Sequence, residues 1–137
     1  MTLEEIGKRA KETARVLNRL GTVQKDQGLQ AAARSLLDGM PEILKANGED
    51  QERAREKGMS QGLLDRLALT EDRVRAMADG LMQVAALPDP IGEVISMKTR
   101  PNGLVIGQKR VPLGVVGIIY EARPNVTADA FGLCLKA

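Results

Sequence analysis

The stretch Tyr120–Thr127, "YEARPNVT", gathers most of the reactive side chains near the end of the chain. It follows the apolar run "GVVGIIY" and precedes a helical pattern, "ADAFGLCLKA". In open α/β sheets, ligands sit beyond the carboxyl ends of the strands, and this loop takes that place. Arg123 carries a planar fork suited to a phosphate or carboxylate. The same fork also serves a structural ion pair with Glu121 or Asp129. Asn125 can donate a hydrogen bond to a developing oxyanion, or can mark the start of a helix ahead of Thr127. Tyr120 and Glu121 can touch a ligand through side chain or backbone, and Tyr120 can equally cap the strand. Cys134 falls inside the last helical pattern, between Leu133 and Leu135. A lone cysteine in such a setting is expected to be a small core residue, not a nucleophile.

Several chemistries are excluded by composition. The 137 residues contain no histidine, so neither a histidine-based triad nor a histidine metal site can be built from this chain alone. One cysteine excludes an internal disulfide and fits a reducing compartment. Twenty basic residues against 18 acidic ones are too balanced to argue for a nucleic-acid or anionic-membrane partner. Aromatic side chains for base stacking are nearly absent. The N-terminus is amphipathic but has Glu4 and Glu5 and no apolar core, so it is not a secretory signal. The longest apolar run, about eight residues, is far too short for a membrane span. The methionines at 40, 59, 77, 82 and 97 are expected to fill the core.

The elements that position the loop follow from periodicity. Leu3, Ile6, Ala10, Thr13, Leu17 and Leu20 recur at helical spacing, with Gly21 as the stop. A second helix is predicted over Val23–Leu37, ended by "DGMP" at Asp38–Pro41. A third run is expected to break at Asn47–Gly48 and close at Gly58. Ser60 and Thr70 are the expected N-caps of two more helices. In the second of these, Val74, Met77, Ala78, Leu81, Val84 and Ala85 share a face. "LPDP" then ends helical character. Strands at Gly92–Thr99 and Gly103–Val111, around the turn signal "PNG", predict a β-hairpin. Lys98, Arg100, Lys109 and Arg110 mark its strands as exposed or edge. Gly114–Tyr120 predicts a strand buried on both faces, with Gly114 and Gly117 allowing close packing. The final helix is predicted with Thr127 as N-cap and Ala128, Phe131 and Leu135 on one face. A buried strand followed by a helix is the first half of a βαβ unit. No second parallel strand follows, so the order of elements predicts an incomplete chain. The glycines of "PLGVVG" do not form the dinucleotide fingerprint.

The text "KRVPLGVVGIIYEARPNVTADAFGLCLKA" (109–137) resembles the gamma-glutamyl phosphate reductases, also called glutamate-5-semialdehyde dehydrogenases. "ILKANGEDQERAREKGMS" (43–60) and "LLDRLALTEDRVRAMADGLMQVAALPDPIGEV" (63–94) are similar to the same family. "IYEARPNVT" is the specific element, whereas "PLGVVG" is shared across the aldehyde dehydrogenase superfamily. The resemblance implies an α/β, aldehyde dehydrogenase-like fold in three parts. Residues 1–87 would be the N-terminal helical part of the cofactor-binding domain, and 92–111 the β-hairpin of an oligomerisation arm. Residues 112–137 would be the first strand, loop and helix of a Rossmann-like domain, cut short. It further implies reduction of L-glutamate 5-phosphate by NADPH to glutamate 5-semialdehyde and phosphate, in proline biosynthesis and in the cytoplasm. The enzyme would be a homo-oligomer with no nucleic-acid or membrane partner. A thiolate would attack the acyl phosphate, phosphate would leave, and hydride would reduce the thioester. The resemblance places that cysteine beyond Ala137, and places Tyr120, Glu121, Arg123 and Asn125 at the cofactor and substrate. Many aldehyde dehydrogenases carry a Trp-Asn-Phe-Pro loop here, where this chain has Ala122, Arg123, Pro124 and Asn125. Met1 directly before the first helix argues against a fused kinase upstream. Two other readings stand beside this one: a non-catalytic helical interaction protein complete at Ala137, and another aldehyde dehydrogenase acting on free aldehydes.

Overall fold

The computed structural model describes residues 2–137. Thr2 caps the first helix, α1 (Leu3–Leu17): its hydroxyl accepts from the Glu5 amide, and the Glu5 carboxylate accepts from the Thr2 amide. Glu4 and Glu5 in the first turn match the helix dipole. The helix stops at Asn18, ahead of the expected Gly21. Gly21 instead starts α2 (Thr22–Asp38), its amide donating to Gln24 Oε1 at 3.1 Å. No residue of α1 is buried, so its amphipathic stripe covers no core among the described residues.

A single glycine, Gly39, separates α2 from α3 (Met40–Glu56), with Pro41 in the first turn of α3, where a missing amide costs nothing. The predicted break at Asn47–Gly48 does not occur. A mid-helix asparagine disrupts a helix when its amide competes for the local backbone. Here that amide is used elsewhere. Asn47 Nδ2 donates to Leu67 O (2.9 Å), and Oδ1 accepts from the Leu69 amide (2.7 Å) and from Gln51 Nε2 (2.8 Å). Asn47 thus ties α3 to the link between α4 (Gln61–Leu67) and α5 (Glu71–Ala86). Thr70 caps α5 as expected, its hydroxyl accepting from the Arg73 amide, whereas Ser60 makes no side-chain cap bond to α4.

The core lies where α2, α5 and the last helix, α6 (Asn125–Lys136), meet. Leu29 and Ala33 of α2 pack against Ala78, Leu81 and Ala85 of α5. Of the predicted α5 face only Val84 is left partly exposed. On α6 the buried positions are Ala128, Gly132 and Lys136, while Phe131 is 46% exposed. The predicted apolar face therefore holds for Ala128 and partly for Leu135, but not for Phe131. Gly132 marks the closest approach. A Cβ there would lie 2.6 Å from Leu81 Cδ2, and Leu81 is itself buried. Gly132→Ala gains about 1 kcal/mol of helix propensity, but overpacking costs about 1–3 kcal/mol. A net loss near 1 kcal/mol is expected, read as a lower urea midpoint; a raised midpoint would show that Leu81 simply turns aside.

A charged network closes this core at one end. Lys25 of α2 reaches Asp89 (3.1 and 3.2 Å to its two carboxylate oxygens) and the Lys136 carbonyl (3.1 Å). Lys136 returns to α2 and α5 by donating to Asp26 Oδ1 (2.5 Å) and Ala85 O (3.0 Å). Asp89 also accepts from Thr22 Oγ1 and from the Ile91 amide. Both ammonium groups are almost wholly removed from solvent, with side-chain exposures of 8% and 5%. Burial pushes the Asp89 carboxyl up; the Ile91 amide, Lys25 and Thr22 outweigh it and hold the group below its ordinary value.

Two strands, β1 (Val94–Thr99) and β2 (Val105–Lys109), form the predicted antiparallel hairpin, with Met97 opposite Gly107 and an irregularity between Val94 and Ser96. The turn closes through Gly103, at φ +86°, a conformation glycine adopts without a Cβ penalty. Nearly every hairpin residue is exposed, as its basic flanks implied.

The predicted buried strand at Gly114–Tyr120 is corrected. The segment is neither paired nor buried, and Ile119 is fully exposed. A strand exists only through a ladder partner, and β1 and β2 pair with each other alone. Nor do its glycines serve close packing, since neither Gly114 nor Gly117 has a neighbour within contact of a Cβ. No helix among the described residues is long and apolar enough to cross a membrane.

Candidate functional site

The loop before α6 is shaped by three local devices. Ala122 stands at φ +52°, the one non-glycine residue with positive φ among those described. An alanine there carries strain of about 1 kcal/mol or more. Arg123 precedes Pro124, whose ring disfavours a helical Arg123 and so delays the helix. Pro124 is the N-cap of α6, not Thr127 as expected. A proline with fixed φ and no amide suits a helix start, so the helix begins three residues early. Thr127 lies inside the first turn and shares a 2.5 Å hydrogen bond with the Tyr120 hydroxyl. Tyr120 therefore pins the extended segment to α6, and caps no strand.

Asn125, the first residue of α6, donates from Nδ2 to Asp129 Oδ2 at 3.1 Å. That bond spans one helical turn. Asp129 is thereby engaged, and neither it nor Glu121 pairs with Arg123. The structural ion pair considered for Arg123 is absent among the described residues, and its guanidinium has no acceptor. Arg123 and Asn125 line a shallow cleft together with Asp65, Arg66, Leu69 and Arg73. Arg73 is fully committed: one terminal nitrogen donates to Asp65 O and Ala68 O, both at 2.6 Å. Its other terminal nitrogen lies 3.7 Å from the Asp65 carboxylate. Arg66 and Arg73 did not stand out in the sequence, because each lies in an ordinary amphipathic helix. Only the α3–α4–α5 packing brings them beside the loop.

Cys134 is in α6 as expected but exposed, which overturns the core reading. The side of α6 turned to the core is the one bearing Ala128, Gly132 and Lys136, and position 134 falls away from it. It borders an apolar groove with Leu17 of α1 and Leu113 and Val116 of the extended segment.

Helical layer, exposed hairpin, extended segment and closing helix, in this order, belong to the aldehyde dehydrogenase-like α/β class, of which they form a part. No family model matches the chain. It is, however, 62% identical over 130 residues to the gamma-glutamyl phosphate reductase of Moorella thermoacetica and 56% identical over 129 residues to that of Halothermothrix orenii. These alignments cover 95% and 94% of this chain and 31% of each relative. The crystal structure of gamma-glutamyl phosphate reductase from Thermotoga maritima superimposes with a TM-score of 0.93 at 43% identity, over 98% of this chain and 32% of that one. The Saccharomyces cerevisiae structure gives 0.92 at 31% identity, over 99% and 35%. Sequence and fold together identify the chain as a homologue of the gamma-glutamyl phosphate reductases. It spans about a third of the length of the relatives it matches.

Proposed function

We propose that this chain is part of an NADPH-dependent reductase of L-glutamate 5-phosphate, releasing glutamate 5-semialdehyde and phosphate in proline biosynthesis. The observation that carries the reading is the match to the named relatives over 95% of the chain, with Arg123 in the loop before α6 lacking any acidic partner among the described residues. Arg123 binds the anionic substrate through its fork, and the hydrogen bond from Asn125 to Asp129 holds the loop end in register. Tyr120 and Glu121 border the same loop, Tyr120 fixing it through Thr127. In the intact enzyme, NADPH would supply the hydride. The described residues do not by themselves fit it: 113–120 has no ladder partner, and its glycines offer no fingerprint turn. The nucleophilic cysteine is assigned beyond Ala137, since Cys134 borders the groove beside α1 and not the Arg123 cleft. Residues 1–87 serve the cofactor domain, 92–111 a homo-oligomer arm, and 112–137 the extended segment, loop and helix that open the Rossmann-like domain of the cytoplasmic enzyme.

The test runs the intact gene product in reverse, with glutamate 5-semialdehyde, NADP and inorganic phosphate, following NADPH absorbance. Phosphate-dependent turnover is expected, and Arg123→Gln should lower kcat/KM by about 100-fold, as for a lost charged bidentate contact. Residues 1–137 assayed alone should give no turnover; activity from them would return the nucleophile to Cys134.

A further inference from the structure

We propose that Arg66 is the second arm of an anion clamp that closes with Arg123 on the phosphoryl group of the substrate. The inference rests on the acyl-phosphate reading above and names a further group that holds its leaving end.

Three guanidinium groups and one carboxylate line the cleft. Arg73 donates to two backbone carbonyls, and its other terminal nitrogen lies 3.7 Å from the one carboxylate, the exposed Asp65. Arg66, from α4, and Arg123, from the loop before α6, share the cleft with no acceptor on either. Like charges sharing a cleft repel, and a dianion between them relieves the repulsion while engaging both forks. A phosphoryl group carries that charge and offers three acceptor oxygens. A single carboxylate would leave one fork unmatched.

The backbone around Arg66 is also held more firmly than a solvent-exposed helix end requires. Asn47 takes the Leu67 carbonyl and the Leu69 amide, and Arg73 takes the carbonyls of Asp65 and Ala68. The Arg66 backbone thus sits between anchored neighbours, so binding has only its exposed side chain to order.

In the reverse reaction inorganic phosphate is a substrate, so it is the probe. With the intact gene product, Arg66→Gln is expected to raise KM for phosphate about tenfold, the cost of one charged hydrogen-bonded contact. KM for the semialdehyde and kcat at saturating phosphate should change far less. Arg66→Lys keeps the charge without the fork and should recover only part of the loss. A second readout needs no turnover: phosphate should raise the melting temperature of the parent protein and of Arg66→Lys more than that of Arg66→Gln. An unchanged phosphate KM and an unchanged thermal shift in Arg66→Gln would overturn the clamp while leaving the enzyme reading intact. Equal rises in both KM values would overturn it too. No phosphate-dependent turnover in the parent would overturn the enzyme reading. A phosphate thermal shift that still depended on Arg66 would then keep the anion cleft alone.

Discussion

Lys25→Met is expected to lower the unfolding free energy by about 3–5 kcal/mol, more than any surface change in this chain. The reason is what remains. Without the ammonium group, Asp89 keeps its buried carboxylate with only Thr22 and the Ile91 amide as partners, and the Lys136 carbonyl loses its donor. Methionine matches the lysine stem in shape, so the loss reports the charge and not a cavity. Urea unfolding followed by circular dichroism checks it; a loss under about 1 kcal/mol would place the pair among solvent-screened ion pairs. Acid provides a second view of the same group. Folded Asp89 titrates below its unfolded value of 3.8, so on acidification the unfolded chain takes up the proton first. Its contribution is complete above that value and is lost as pH falls through 3.8 toward the lowered folded value. Lys25→Met should flatten this part of the pH–stability curve, because one of the interactions holding the folded value down is gone.

Leu29→Ala should cost about 2–5 kcal/mol. Leu29 has no solvent exposure and sits where α2, α5 and α6 converge, with Leu81 and Ala85 on one side and the Gly132 backbone on the other. The site cannot collapse easily, because Gly132 already brings α6 as close as Leu81 permits. The half-buried Leu36, at the margin of the same cluster, is the control: Leu36→Ala should cost less than half as much. Equal losses at both positions would mean that the cluster is plastic and that α6 moves inward to fill the void.

What the sequence made legible follows the range of the forces involved. Periodicity located the core face of α5 and the hairpin with its turn, because local side-chain spacing determines both. The motif in the loop before α6 singled out Arg123 and Asn125, which line one cleft, although the helix start was read at Thr127 and lies at Pro124. Features that depend on distant partners were misread or missed. Asn47 looked like a helix breaker, and becomes a tether only because Leu67 and Leu69 lie beside it. Gly114–Tyr120 has the composition of a buried strand but no ladder partner among the described residues. Cys134 was assigned to the core by its apolar neighbours in sequence, although helical geometry turns it outward. Lys25 and Lys136 drew no reading from the sequence, since nothing local shows that Asp89 and Asp26 will meet them. Arg66 joins Arg123 only because α4 packs on α3 and Arg73 of α5 holds the carbonyls of Asp65 and Ala68.

The bare flank of α1 has a kinetic meaning. A 15-residue helix with a good N-terminal box but no buried side chain is held by little beyond its own backbone bonds. It can open and reclose many times while α2 and α5 stay shut, so its amide protons trade with solvent near the rate of a free peptide. Those around Leu29 and Leu81 trade only when the core itself comes apart. The chain therefore has two clocks, and how durable the molecule seems depends on which helix a probe watches.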